Sequence, residues 1–182
     1  MRVKRHGFSL MKRMWGSALA LWMVGNSSPC EARLGDDENI LNQKHGEGKS
    51  LPAEGGLKVK AYRNEGLSIL VYFRNGLSVR EVYGGAASDP EDPEKVITVP
   101  ITPELFDAIL RANSAGKLWL PLDRDGKVTE AEEPAKLKGE LGTYSLLLRE
   151  DGKAVVQIYY DASEEKVMTL VVSDESLTRA QR

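Results

Sequence analysis

The stretch whose residue types come nearest to a cation site is Pro121-Leu122-Asp123-Arg124-Asp125-Gly126-Lys127-Val128-Thr129-Glu130-Ala131-Glu132. Laid on the calcium loop of a helix–loop–helix site, it puts Asp123, Asp125, Gly126 and Glu132 at the third, fifth, sixth and twelfth positions. The first position falls on Pro121, which has no side-chain oxygen, whereas calcium needs oxygen donors on all sides. No metal ligand is assigned on this pattern. Weak calcium binding by Asp123, Asp125 and Glu132 stays open beside the plainer reading of an Asp-Gly turn.

Other chemistries fail on their residue types. Zinc wants several His or Cys ligands, and beyond residue 32 the chain offers His45 alone. His45 follows Lys44 at the end of a helical pattern, where a base favours the helix dipole. No G-x-S-x-G elbow occurs, and Ser114 stands where a helix ends. There is no glycine-rich phosphate loop and no dinucleotide fingerprint. Acids are scattered, so no carboxylate pair of glycosidase type can be named. The sequence therefore assigns no catalytic residue and no cofactor. Tyr62 and Tyr72 are its candidate binding residues: each falls opposite the apolar face of its strand, which would expose the two together on one sheet surface.

The amino-terminal segment carries a different signal. Arg2, Lys4, Arg5, Lys12 and Arg13 precede an apolar run from Met14 to Val24, with no acid before Glu31. A basic region, a short apolar region and small residues make a secretory signal peptide. The run is too short for a membrane span, which takes roughly 20 residues. Cys30-Glu31-Ala32 followed by Arg33 fits the small-residue cleavage rule, so cutting between Ala32 and Arg33 is expected. Acylation of Cys30 is the competing fate, but Pro29 fits a lipoprotein site poorly. Translation from Met1 or from Met11 stays open.

Removing residues 1–32 takes five of the 25 basic residues and one of the 27 acidic ones, which leaves a net charge of −6. That balance argues against nucleic acid, which selects clustered Lys and Arg. The expected partner is another envelope or secreted protein, with membrane contact only during export. The cysteine-free remainder, periplasmic or secreted, must be stabilised by its core rather than by disulfides.

The elements that must position any site read as follows. Asp36 to Gly46 has an acidic start, basic end and glycine stop, which predicts a short helix. Leu57–Arg63, Leu67–Arg74 and Leu77–Tyr83 alternate as strands, with Leu67, Ile69, Val71 and Phe73 on one face. Asn75-Gly76 is a type I′ hairpin signal. Residues 85–100 read as a small, acidic, Pro-rich linker. Thr102-Pro103-Glu104 opens a second helix with an apolar stripe of Leu105, Phe106, Ile109 and Leu110, ended by Gly116. Thr143–Arg149, Ala154–Tyr160 and Lys166–Val172 are three more strands, Trp119 is expected to close the core, and residues 174–182 form a loose tail.

Setting residues 68–76 on 145–152, with one gap that a β-bulge could supply, superposes two hairpin turns. Val79, Val82 and Tyr83 then match Val155, Ile158 and Tyr159. The expected fold is α+β: two helix-then-three-strand antiparallel units, 33–84 and 101–173, in one sheet-and-helix domain. A helix followed by such a hairpin resembles the repeat of SmpA/OmlA-type outer-membrane assembly lipoproteins and of lactamase-inhibitor-like proteins. Ala32 to Gly35, His45-Gly46, Ala112 to Gly116 and Trp119 also resemble a group of small exported bacterial proteins. The resemblance implies a fold and a compartment, with an exported, non-catalytic binding or envelope-associated module as the function. The alternative is a small secreted hydrolase or carbohydrate-binding protein with a carboxylate site.

Overall fold

The computed structural model describes residues 33–64, 66–92 and 94–175. The leader, Cys30 and Ala32 lie outside these residues, as do residues 176–182 of the tail. In chain order the elements are α1 (Glu38–His45), β1 (Lys49–Glu54), β2 (Leu57–Asn64), β3 (Leu67–Arg74), β4 (Leu77–Ser88) and β5 (Val96–Val99). Then follow α2 (Pro103–Asn113), β6 (Trp119–Pro121), β7 (Leu137–Gly139), β8 (Gly142–Arg149), β9 (Ala154–Tyr160) and β10 (Val167–Asp174). Both helices start on the expected caps. Asp37 accepts from the Ile40 amide at 2.9 Å, and Thr102 accepts from the Leu105 amide. Asn75 and Gly76 adopt φ of 53° and 83°, the left-handed pair that a tight hairpin turn requires.

The α+β expectation is overturned: the protein is β-rich, with ten antiparallel strands in one sheet and only two helices among the described residues. The difference comes from β1, β5, β6 and β7, which lie in stretches that read as loops or linker. Lys49–Glu54 and Trp119–Pro121 contain proline, which a strand tolerates at a sheet edge, and both are edge strands. Val96–Val99 lies inside the expected linker and pairs with the far end of β4. That pairing is close: a Cβ on Gly85 would stand 2.2 Å from the Val99 carbonyl oxygen, so only glycine fits there.

Strands follow the order β1-β2-β3-β4-β10-β9-β8-β6, with β5 attached to β4 and β7 to β8. Two meanders therefore meet through the β4–β10 pair. The residue-by-residue repeat does not survive this arrangement. It sets the β3–β4 hairpin on the β8–β9 hairpin, yet β4 sits at the junction of the meanders whereas β9 is the middle strand of its own. The register adds a decisive point. Tyr72 faces Arg80 and Phe73 faces Ser78, so Val79 is an extra residue that flips the remainder of β4. Tyr83 thereby points to the helix side, while its supposed equivalent Tyr159 points to the other side.

The helices cover one face. Leu41 of α1 and Ile109 of α2 pack there with Leu67, Ile69, Val71 and Phe73 of β3, Tyr83, Val156, Ile158, Leu170 and Val172. Trp119 packs against this core, and its indole donates to the Leu110 carbonyl at 2.9 Å. On the opposite face a smaller cluster of Leu122, Leu146 and Val155 forms where the connector between β6 and β7 folds over β8 and β9. Among the described residues, no helix lies on the rest of that face, over β3, β4 and β10.

Candidate functional site

Strand pairing places the side chains of the open face in rows. Leu70, Val82, Val171 and Gln157 lie side by side across β3, β4, β10 and β9. Tyr72 and Arg80 form the row on one side, and Thr169, Tyr159 and Tyr144 the row on the other. Arg80, Val82, Gln157, Tyr159, Thr169 and Val171 line a shallow depression of about 550 Å³. Leu141, at the tip of the β7–β8 hairpin and 84% exposed, stands at its margin.

The side chains of this face support one another. The Arg80 guanidinium lies 5.8 Å from the centre of the Tyr72 ring, and Tyr72 donates to Glu54 at 3.1 Å. The Tyr144 and Tyr159 rings are 5.9 Å apart. Partial burial raises the Tyr159 and Tyr72 phenols above their ordinary range; next in effect, Tyr144 adds to the shift of Tyr159 and the Glu54 hydrogen bond to that of Tyr72. The Tyr72 and Tyr159 phenols therefore stay neutral and can donate and accept hydrogen bonds. The face is thus apolar in the middle and polar at the sides, with aromatic rings on both.

Tyr62 and Tyr72 do not share a surface. Tyr62 points to the helix side, 4% exposed, and its hydroxyl donates to Asn42 of α1 at 3.1 Å. Burial pushes its phenol up to about 12, with the Glu38 charge adding to the effect. Gly48 leaves room for the ring, since a Cβ there would come within 2.5 Å of it. Of the pair, Tyr72 alone belongs to the open face. Arg80 and Val82 escaped the sequence reading because the bulge at Val79 reverses the alternation of β4, and Tyr159 and Val171 because only cross-strand register brings β9 and β10 beside them.

The other candidates have structural roles. His45 ends α1 with its ring 5.9 Å from that of Tyr62. Burial, helped by Lys44 and opposed by Asp36, lowers its basicity, so the neutral ring is favoured. Asp123 accepts from the amides of Asp125 and Lys127, both at 2.9 Å, and a bridge from Leu122 to Val128 closes the turn. The Asp-Gly turn is therefore formed by its own hydrogen bonds. Among the described residues no group of three or more His, Cys, Asp or Glu could hold a metal ion. Ser114 caps α2 by bonding the Arg111 carbonyl at 2.9 Å.

No protein-family model matches the chain, and no curated protein matches it. Among solved structures it is similar to a cysteine-rich secretory protein from Staphylococcus aureus, at 15% identity and a TM-score of 0.42 over 79% of this chain. It is also similar to an extracellular SCP-domain protein from Bacillus anthracis, at 15% identity and a TM-score of 0.41 over 96% of this chain. The chain spans about half the length of these two proteins, 45% and 52%. Similarity of that degree carries no argument about fold or function.

Proposed function

We propose that the protein is an exported, non-catalytic module that binds another envelope or secreted protein on the open face of its sheet. The observation that carries this reading is the row Leu70, Val82 and Val171, apolar and without a covering helix among the described residues, between Tyr72 and Arg80 on one side and Tyr159 on the other. Aromatic residues and arginine around an apolar middle are the composition of protein–protein interface centres. Export rests on the basic and apolar pattern of residues 2–24 and the small-residue site at Ala32. The hydrolase alternative asks for a group of carboxylates with raised proton affinity in a cleft. Among the described residues the carboxyl raised is Glu81, fully buried on the helix side.

Val171→Lys places a charge in the middle of the row. Chemical cross-linking of the purified protein to envelope extract should give a defined adduct that Val171→Lys abolishes, while the circular dichroism spectrum is unchanged. An adduct retained at full yield by Val171→Lys and Tyr159→Ala would overturn the sheet-face reading. Mass spectrometry of the exported protein should find Arg33 as its first residue.

A further inference from the structure

The bulge at Val79 brings a carboxyl into the helix-covered core. Lys60, Val71, Glu81, Val172 and Val156 lie in one row across β2, β3, β4, β10 and β9, and Glu81 has no exposure. Its Oε2 accepts from the Tyr83 hydroxyl at 2.5 Å, whereas its Oε1 has no hydrogen-bond partner among the described residues. The cross-strand neighbours Val71 and Val172 are uncharged. Asp36 approaches from the segment before α1 but is paired with Lys44 at 2.8 Å. Lys60, two strands away, is held by Glu38 of α1 at 2.6 Å. Asn113 is the polar group that α2 contributes.

The residues around Glu81 also hold the segment 33–36. Ser78 accepts from the Gly35 amide on its carbonyl, at 2.9 Å, and on Oγ, at 3.0 Å. Its Oγ donates to the Arg33 carbonyl at 2.8 Å, and its amide donates to the Asp36 carbonyl at 2.9 Å. Asn113 accepts from the Leu34 amide at 2.9 Å and donates to the Tyr83 hydroxyl at 3.4 Å. A strap of four residues leading into α1 is thus joined to the buried carboxyl through two side chains.

We propose that residues 33–36 and α1 form a proton-operated latch: neutral Glu81 keeps them closed on the sheet, and ionised Glu81 lets them open. Closed, an ionised carboxylate would be left out of water between Val71 and Val172, with one oxygen unsatisfied. Opening admits water to it.

Burial raises the closed-state carboxyl to about 7; Tyr83, Ser78 and Asn113 oppose the shift and the Asp36 charge adds to it. In the open state the ordinary value of 4.5 returns. The closed state therefore binds the proton more tightly. Below pH 4.5 both states are protonated and opening is at its minimum. Between 4.5 and 7 the opening constant rises up to tenfold per unit, and above 7 it levels off about 300-fold higher. His45 works in the opposite sense, because its neutral form is favoured in the closed state. A latch governed by His45 would open on acidification.

Amide hydrogen exchange of the full chain, corrected for intrinsic rates, tests this directly. Residues 34–45 should lose about 30-fold in protection between pH 5.5 and 8, while the middle of β3 and β9 stays protected. Glu81→Gln should remove the dependence and keep the segment closed at both values. Tyr83→Phe, which takes away a donor to the carboxylate, should move the step to higher pH and serves if Glu81→Gln does not fold. Equal protection at both pH values, a step that persists in Glu81→Gln or keeps its midpoint in Tyr83→Phe, or opening on acidification would each overturn the proposal.

Discussion

Each face of the sheet carries an exception to the usual relation between polarity and cover. The helix-covered face encloses Lys60 and Glu81, whose exposures are 6% and 0%. The open face presents Leu70, Val82 and Val171 with no helix above them among the described residues. A buried charge is costly unless paired and a buried carboxyl unless hydrogen-bonded, so the covered face needs Glu38 for Lys60 and Tyr83 for Glu81. Half-buried apolar side chains cost little while solvent reaches them, and they gain when a partner removes that solvent. The covered face thus carries the core and the buried carboxyl of the proposed latch, and the open face is the one that the proposed association would use.

Substitutions can break this contrast. The largest effect belongs to the covered core: Ile69→Ala should lower unfolding free energy by about 2–5 kcal/mol in denaturant titrations, against about 1 kcal/mol or less for Val171→Ala. Equal losses would mean that the open face is packed by the chain itself. Next comes the ion pair. Glu38→Ala leaves Lys60 enclosed without its partner and should cost about 3 kcal/mol. Lys60→Met removes the buried charge and leaves Glu38 paired with Lys58, so it should cost far less. If the two variants melt together, the burial of Lys60 has no energetic consequence. The smallest effect sharpens the role of α2 as cover: Thr102→Ala removes the cap that accepts from the Leu105 amide and should cost about 1 kcal/mol, with no change in cross-linking to extract.

Local signals were legible in the sequence. Asp37 and Thr102 cap the helices, Asn75-Gly76 makes the hairpin turn, and alternation in 67–74 puts Leu67, Ile69, Val71 and Phe73 in the core. Short edge strands were not legible. The six residues of β1 and the three of β6 contain proline and lack a buried alternating face, so their pairing depends on a neighbouring strand rather than on their own pattern. The pairing of Tyr62 with Tyr72 failed for a related reason. Alternation tells which residues share a face within one strand, but register across strands tells which strand faces share a side. In β2, Lys58, Lys60 and Tyr62 turn toward the helices, against the polarity that the sequence suggests.

What the sequence determined by itself is therefore local: capped helices, one strong turn and the period of the central strands, all set by interactions within a few residues. The tertiary structure alone decided which faces of β2 and β4 join the core face of β3. One extra residue at Val79 turns Glu81 inward and Val82 outward, because a bulge shifts the two-residue period for everything that follows. That single shift places the buried carboxyl under the strap and an apolar residue in the middle of the open face.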